Sequence, residues 1–127
     1  KTGQALPEEL QLARAEVASY GSPDLILALT EALTEQALSS KQPDLAERYL
    51  KPVLEIRTMT RVHRSLLLTL SARAKLAANE TNEAKALLFE ARMLQLDYLA
   101  ERGGTKELDA LYFKPTIDLM KQLQMQL

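Results

Sequence analysis

The single histidine of this chain, His63, is the side chain best suited to proton transfer or metal binding at neutral pH. Either role needs further groups, since a base must be oriented and a metal ion must be held by several ligands. The segment from Ile56 through Asn79 contains no aspartate or glutamate that could serve as such a neighbour. We therefore interpret His63 as an exposed or helix-capping residue rather than a catalytic one.

Other patterns that carry chemistry are missing from the sequence. There is no cysteine, so the chain has neither a disulfide framework nor a thiolate metal site. One histidine cannot supply the two Glu-x-x-His motifs of a di-iron helical bundle. Gly103 and Gly104 stand without the lysine signature of a phosphate-binding loop. The sequence thus predicts no catalytic residue, no metal and no cofactor, and it indicates that the chain is not an enzyme.

Charge is unevenly distributed, although the formal net charge of the chain is only −1. Residues 1–55 contain five bases and nine acids, and residues 80–127 contain six bases and eight acids. Residues 56–79 contain no acid and five bases, namely Arg57, Arg61, Arg64, Arg73 and Lys75. This basic stretch is either a docking patch for an acidic or phosphorylated segment, or it is paired internally with acids of neighbouring helices.

The two interpretations of the basic stretch rest on different residues. Arg57, Arg61 and Arg64 follow one another at helical intervals and would share one face of a helix, as a docking patch requires. Internal pairing would use acids of the neighbouring helices, namely Glu31, Glu35, Glu47 or Glu55. We favour internal pairing, because an acidic first half beside a basic middle segment is self-complementary.

The composition disfavours nucleic acid and membranes as partners. A net charge near zero is unlike that of a general nucleic-acid binder. Leu66, Leu67, Leu68 and Leu70 make the basic stretch too apolar for a recognition helix. No apolar run approaches the roughly 18 residues that a membrane span needs. We expect a soluble, cytoplasmic segment of a longer protein.

Helix-forming residues dominate the chain, and proline and glycine divide it. The predicted helices span about 7–21, 23–40, 43–57, 60–78 and 82–102, and a further one begins at Thr105. Lys114 and Pro115 either kink that last helix or separate a final helix that ends at Leu127. The short links predict antiparallel hairpins, so the fold class is all-α.

Two stretches that lie 38 residues apart share one pattern of large and small apolar residues. The matching pairs are Leu38 with Leu76, Ala46 with Ala84, Leu50 with Leu88, Val53 with Ala91, and Ile56 with Leu94. Repetition at such a period is typical of stacked helical hairpins. The pattern therefore predicts a repeat architecture, with a plain helical bundle as the alternative.

The later unit, residues 66–94, resembles a tetratricopeptide repeat. The residues that carry the resemblance are Leu68, Ala72, Leu76, Ala84, Leu88 and Ala91, with Glu83 before Ala84 as the usual acid–alanine pair. Lys75 replaces the usual aromatic residue, and no proline closes the unit after Leu94. Residues 28–56 form a degenerate copy with Pro52 inside its second helix. The longer period is similar to that of the tetratricopeptide-like arrays of large bacterial transcriptional regulators and other signalling proteins.

The resemblance implies a single helical-repeat domain over residues 1–127, folded as a short α-solenoid of antiparallel hairpins. The first helices of the two units would line a concave groove with Ala28, Glu31, Glu35, Leu38, Leu66, Thr69, Arg73 and Leu76. The lysines and asparagines with which chaperone-binding members clamp a terminal carboxylate are absent from these positions. Arg73 could instead pair with Glu35 across the groove.

Residues 105–127 do not continue the repeat and are predicted to cap the stack. This segment is rich in methionine and glutamine near its end. Its apolar residues Leu119, Met120, Leu123 and Met125 could also form a self-association surface, because adaptable methionine-rich faces often bind partners. A capping role and a homodimer contact are compatible with each other.

We therefore expect a non-catalytic protein–protein interaction module within a larger intracellular regulatory, signalling or scaffold protein. It would bind a protein or peptide partner in the groove or on the end surface of the stack. The candidate partner-contact residues are Glu31, Glu35, Thr69, Arg73, Arg57, Arg61 and Arg64. The alternative is a dimerisation or signal-relay helical bundle of a transcriptional or two-component regulator.

Overall fold

The structure is a computed structural model that describes residues 23–56 and 59–126. Over these residues it contains only helices, joined by turns. They are α1 (Pro23–Ser39), α2 (Pro43–Leu54), α3 (Arg61–Ala77), α4 (Thr81–Arg102), α5 (Lys106–Tyr112) and α6 (Lys114–Gln122). The all-α prediction is confirmed. The helix predicted over residues 7–21 and the residue Arg57 lie outside the described residues.

Local signals account for most helix boundaries. Pro23 and Pro43 are the first residues of α1 and α2, where a missing backbone N–H costs nothing. Thr60 and Thr105 are the N-caps of α3 and α5, and each hydroxyl accepts a hydrogen bond from a backbone N–H of the first turn. Gly103 ends α4 in the left-handed conformation, with φ of 62°.

The C-terminal segment follows one of the two predicted alternatives, a separate final helix, but that helix ends earlier than predicted. Phe113 has a non-helical backbone conformation and separates α5 from α6. Lys114 and Pro115 therefore begin a separate helix. That helix ends at Gln122 instead of extending to Leu127, because Gln124 adopts a left-handed conformation with φ of 58°. The final segment is therefore shorter than expected, and it places Met125 back against the stack.

The two hairpins turn in the same way. The chain reverses at Lys41 between α1 and α2 and at Asn79 between α3 and α4, with φ of 58° and 64°. In each turn the next N–H donates to a carbonyl five positions earlier, at 2.8 Å. These two turns lie 38 residues apart, which is the period of the sequence pattern.

Two apolar clusters hold the helices together. The first joins α1, α2 and α3 through buried residues that include Leu33, Leu50 and Leu67. The second joins α3, α4 and α6 through Ala72, Ala84, Leu88, Leu119 and Met120. The alanines of this second cluster let α3 and α4 approach closely, and these two helices share the most extensive contact in the structure. The described part of the molecule is thus a stack of two helical hairpins closed at one end by α6.

Candidate functional site

A bidentate ion pair joins the first helices of the two hairpins. Arg73 on α3 donates to both carboxylate oxygens of Glu35 on α1, at 2.7 and 2.8 Å. Hydrogen bonding from Arg73 holds the pKa of the Glu35 carboxyl below its ordinary value, and the same contact raises the pKa of Arg73. Both proposed groove residues are therefore engaged with each other across α1 and α3.

We expect the Glu35–Arg73 pair to make stability depend on pH. Because the pKa of Glu35 is lower in the folded state, its contribution is complete above the unfolded pKa of about 4.3. That contribution is lost as the pH falls through the folded value. We expect Glu35→Gln to cost less than about 1 kcal/mol at pH 7, since the pair is partly exposed, and to flatten the decline below about pH 5. Urea unfolding from about pH 7 to 3 measures both effects.

The matched control for this prediction is Glu90→Gln, which removes an exposed carboxylate on α4. No ion pair of Glu90 is found among the described residues, so its replacement should not reproduce the effect of Glu35→Gln. If the two variants lose stability in parallel with the unsubstituted protein on acidification, the Glu35–Arg73 pair does not contribute to acid sensitivity.

The other described cations of the basic stretch also have partners within the chain. Arg61 donates to both carboxylate oxygens of Glu101, at 2.8 and 2.6 Å, which lowers the pKa of Glu101. The ammonium of Lys75 lies within 4 Å of carboxylates on α2, in the α3–α4 turn and on α4, the nearest being Glu47 at 2.8 Å. Arg64 donates to the backbone carbonyls of Leu54 and Ile56, at 2.8 and 2.6 Å, and so caps the end of α2.

His63 has a neighbour that sequence reasoning missed. Its Nε2 lies 2.6 Å from Oδ1 of Asp24 in the first turn of α1, and its Nδ1 contacts Oγ1 of Thr60. No acid near His63 in the sequence indicated this contact, because Asp24 comes from the other hairpin. The Asp24 side chain is 91% exposed, and the Thr60 hydroxyl also accepts the backbone N–H of His63 as the cap of α3. The three residues tie the beginnings of α1 and α3 together.

Thr69 belongs to a buried polar network instead of an open groove. Its hydroxyl contacts that of Thr116 on α6 at 2.7 Å, and its side chain is covered, with 3% exposure. The expectation that Thr69 lines the groove is wrong because α6 packs over it. Gln95 completes the network by donating to Ser65 and Thr116, at 3.2 and 2.8 Å.

A signal for this network exists in the sequence. The buried positions of α4 include Ala84, Leu88, Ala91, Gln95 and Leu99, which recur at helical spacing. A glutamine in that stripe must find hydrogen-bond partners inside the protein, because an unsatisfied buried amide is costly. The partners themselves could not be read from the sequence.

A second polar contact fastens the C-terminal segment. Arg92 on α4 and Asp109 on α5 form a bidentate ion pair, with Nη1 of Arg92 2.7 Å from Oδ1 of Asp109. Nη1 of Arg92 also reaches Oε1 of Gln95 at 3.2 Å. Since α5 has no buried residue, this pair is its main attachment to α4.

The predicted self-association residues mostly pack against other residues of the same chain. Leu119 and Met120 are buried in the second apolar cluster, and Leu123 and Met125 pack against it. Leu119 and Met120 are therefore not surface contacts, because they face α3 and α4. The large apolar side chains that remain exposed on the last three helices lie elsewhere, at Phe89, Met93, Leu108, Leu111 and Tyr112.

Comparisons with known proteins provide no further guide to the site. No family model, no curated protein and no solved structure matches the chain. Within the described ranges, no group of three or more His, Cys, Asp or Glu side chains could hold a metal ion. None of the helices found there combines the length and apolar character that crossing a membrane requires.

Proposed function

We propose that this chain is a non-catalytic protein–protein interaction module, built as a short tetratricopeptide-like stack of helical hairpins. The observation that carries the proposal is the packing order. α1 contacts α2 and α3, α2 contacts α3, α3 contacts α4, and α6 contacts α3, α4 and the short helix α5. In arrays of helical hairpins each unit contacts only its neighbours, and such arrays mostly present surfaces to other macromolecules. In this arrangement α6 takes the place of the first helix of a third hairpin.

Equivalent positions in the two hairpins support the repeat interpretation. Glu35 and Arg73 lie 38 residues apart and face each other on the first helices of the two hairpins. Lys41 and Asn79, at the two turns, have the same separation and the same left-handed conformation. Regular offsets of this kind are expected when two copies of one unit stack side by side.

Two surfaces are available to a partner in this proposal. One is the face of α1 and α3 around the exposed Glu31 and the Glu35–Arg73 pair. The other is the end of the stack, where Phe89, Leu111 and Tyr112 are at least half-exposed. A setting within a larger cytoplasmic regulatory or scaffold protein is part of the same proposal, and it rests on the resemblance to bacterial regulatory arrays.

Position-dependent crosslinking tests the proposal. A photo-crosslinking amino acid is placed at Glu31, at Leu111 or at Lys51 in the full-length protein, in the cells that produce it. We expect adducts with a second protein from Glu31 or Leu111, and none from the exposed Lys51 on α2. Absence of adducts from Glu31 and Leu111, or equal adducts from all three positions, contradicts a specific interaction at these two surfaces.

Dimerisation or signal relay in a regulator is the second candidate, favoured by the exposed apolar side chains of α4 and α5. Sedimentation velocity distinguishes it from the first. A dimer that dissociates on Leu111→Asp would favour this candidate, whereas a monomer at high micromolar concentration counts against it.

A further inference from the structure

A surface cleft lies between α4 and α6 at the closed end of the stack. We call it the end cleft, and its volume is about 460 Å³. The residues that line it are Arg92, Ile117, Met120, Lys121, Met125 and Gln126. Three of these side chains are apolar, two are cationic and none is a carboxylate. The end cleft is therefore an apolar depression with a positively charged edge.

Helix α6 packs against α3, α4 and α5 and leaves one side partly uncovered. Leu119 and Met120 pack into the second apolar cluster, whereas Ile117 and Met125 are only partly covered and Lys121 is exposed. In a stack of hairpins this free side is where the next helix would pack. The end cleft thus lies where a further helix would pack in such a stack. No described helix of this chain occupies it.

The two cations of the end cleft, Arg92 and Lys121, differ in whether they bind an acidic side chain of this chain. Arg92 is held by Asp109 and Gln95. Lys121 forms no ion pair within residues 23–56 and 59–126, and the nearby Asp118 is bonded to Lys114 at 2.6 Å. The charge available to a partner is therefore the Lys121 ammonium, and its complement is a carboxylate.

The lining also favours a helical occupant over an extended one. Helices α4 and α6 satisfy their backbone groups internally, so their flanks offer no row of donors and acceptors to an extended peptide. A helix brings its own backbone hydrogen bonds and needs only apolar contacts and a matching charge. The methionine side chain of the partly exposed Met125 adapts readily to such a surface.

We infer that the end cleft seats an acidic amphipathic helix of a partner protein. Apolar side chains of that helix cover the partly exposed Ile117 and Met125, and an aspartate or glutamate on its polar edge reaches Lys121. The inference rests on the proposed function, to which it adds the end cleft as a further contact surface and the chemistry of the partner.

Two synthetic peptides test the inference directly. Both are about sixteen residues long, roughly four helical turns, and share one Leu/Ala face. One carries glutamates along the edges of that face and the other carries lysines. We expect the acidic peptide to bind the protein in a fluorescence-anisotropy titration, more tightly at low salt than at high salt, and the basic peptide to bind at least about tenfold more weakly.

Matched variants locate the contact. Lys121→Glu should raise the Kd of the acidic peptide about tenfold, because it replaces an attraction with a repulsion. Lys51→Glu, the same change at an exposed lysine of α2, should leave the Kd within about twofold, as expected for a distant charge. Circular dichroism of both variants checks that they fold. We expect both to fold, because both substitutions are at exposed positions.

Several outcomes would overturn the inference. These are no binding of either peptide, equal binding of the two peptides, and equal effects of Lys121→Glu and Lys51→Glu. Dimerisation abolished by Lys121→Glu would assign the end cleft to a second copy of this chain and would also overturn it. The peptide titration needs no natural partner, so its failure is separate from a failure of the crosslinking experiment at Glu31 and Leu111.

Discussion

Replacing Leu67 with alanine should lower the free energy of unfolding by about 2–5 kcal/mol. Leu67 lies in the middle of α3, has no exposed surface and belongs to the cluster that joins α1, α2 and α3. Truncation removes its apolar contacts and leaves a cavity that three helices cannot easily fill. Urea or thermal unfolding monitored by circular dichroism measures the loss.

The control for Leu67→Ala is the same substitution at Leu111 on α5, whose side chain is 70% exposed. It should change stability by no more than about 0.5 kcal/mol, as surface substitutions usually do. Similar losses at the two positions would contradict the burial of Leu67 in the first cluster.

Removing the cation of the Arg92–Asp109 pair has the second-largest expected effect. Arg92→Ala leaves the Asp109 carboxylate without its partner where the two side chains are only 12% and 17% exposed. We expect a loss of about 3 kcal/mol, near the lower end of the range for buried pairs because some solvent contact remains. Since α5 has no buried residue of its own, limited proteolysis should also become faster within residues 103–113.

A double variant separates the charge effect from general damage. Arg92→Leu with Asp109→Leu removes both charges and should recover most of the lost stability. Arg73→Ala, which breaks the more exposed pair with Glu35, should cost less than about 1 kcal/mol and leave proteolysis at α5 unchanged. A double variant no more stable than Arg92→Ala would show that the arginine stabilises α5 through packing instead of charge.

The fold decides whether the cations of the basic stretch are paired within the chain or free to bind a partner. Residues 56–79 contain no acid, so the sequence alone is compatible with a docking patch. In the structure Arg61, Arg73 and Lys75 reach acids of other helices, and Arg64 caps the end of α2. The described part of this stretch is thus engaged in holding the hairpins together. The available cation that we assign to partner binding, Lys121, lies instead on α6.

Sequence reasoning succeeded where the determinants are local. Prolines at helix starts, threonine caps and Gly103 set the helix boundaries within a few residues. The predicted end of the last helix at Leu127 was wrong. Gln124 adopts a left-handed conformation, and no glycine or asparagine near it in the sequence indicates one. The described helices that were predicted are all present, because helix propensity and capping act within a few positions along the chain.

The candidate site was harder to predict. The Glu35–Arg73 contact was foreseen because the repeat places the two residues at equivalent positions on adjacent helices. The contacts of His63 with Asp24 and of Arg92 with Asp109 were missed, since each depends on how two helices are rotated against each other. Thr69 was misplaced for the same reason, because a polar residue at helical spacing fits an exposed face and a satisfied interior equally well.

The sequence by itself determined that the chain is all-α, where its hairpins turn, and which apolar residues recur every 38 positions. These properties follow from backbone preferences and from side chains close together in the chain. Only the tertiary structure decided that Leu119 and Met120 close the stack, which charges pair, and that a cleft beside Lys121 stays open. Those outcomes depend on the packing angle and register of whole helices, which are fixed by many weak contacts at once.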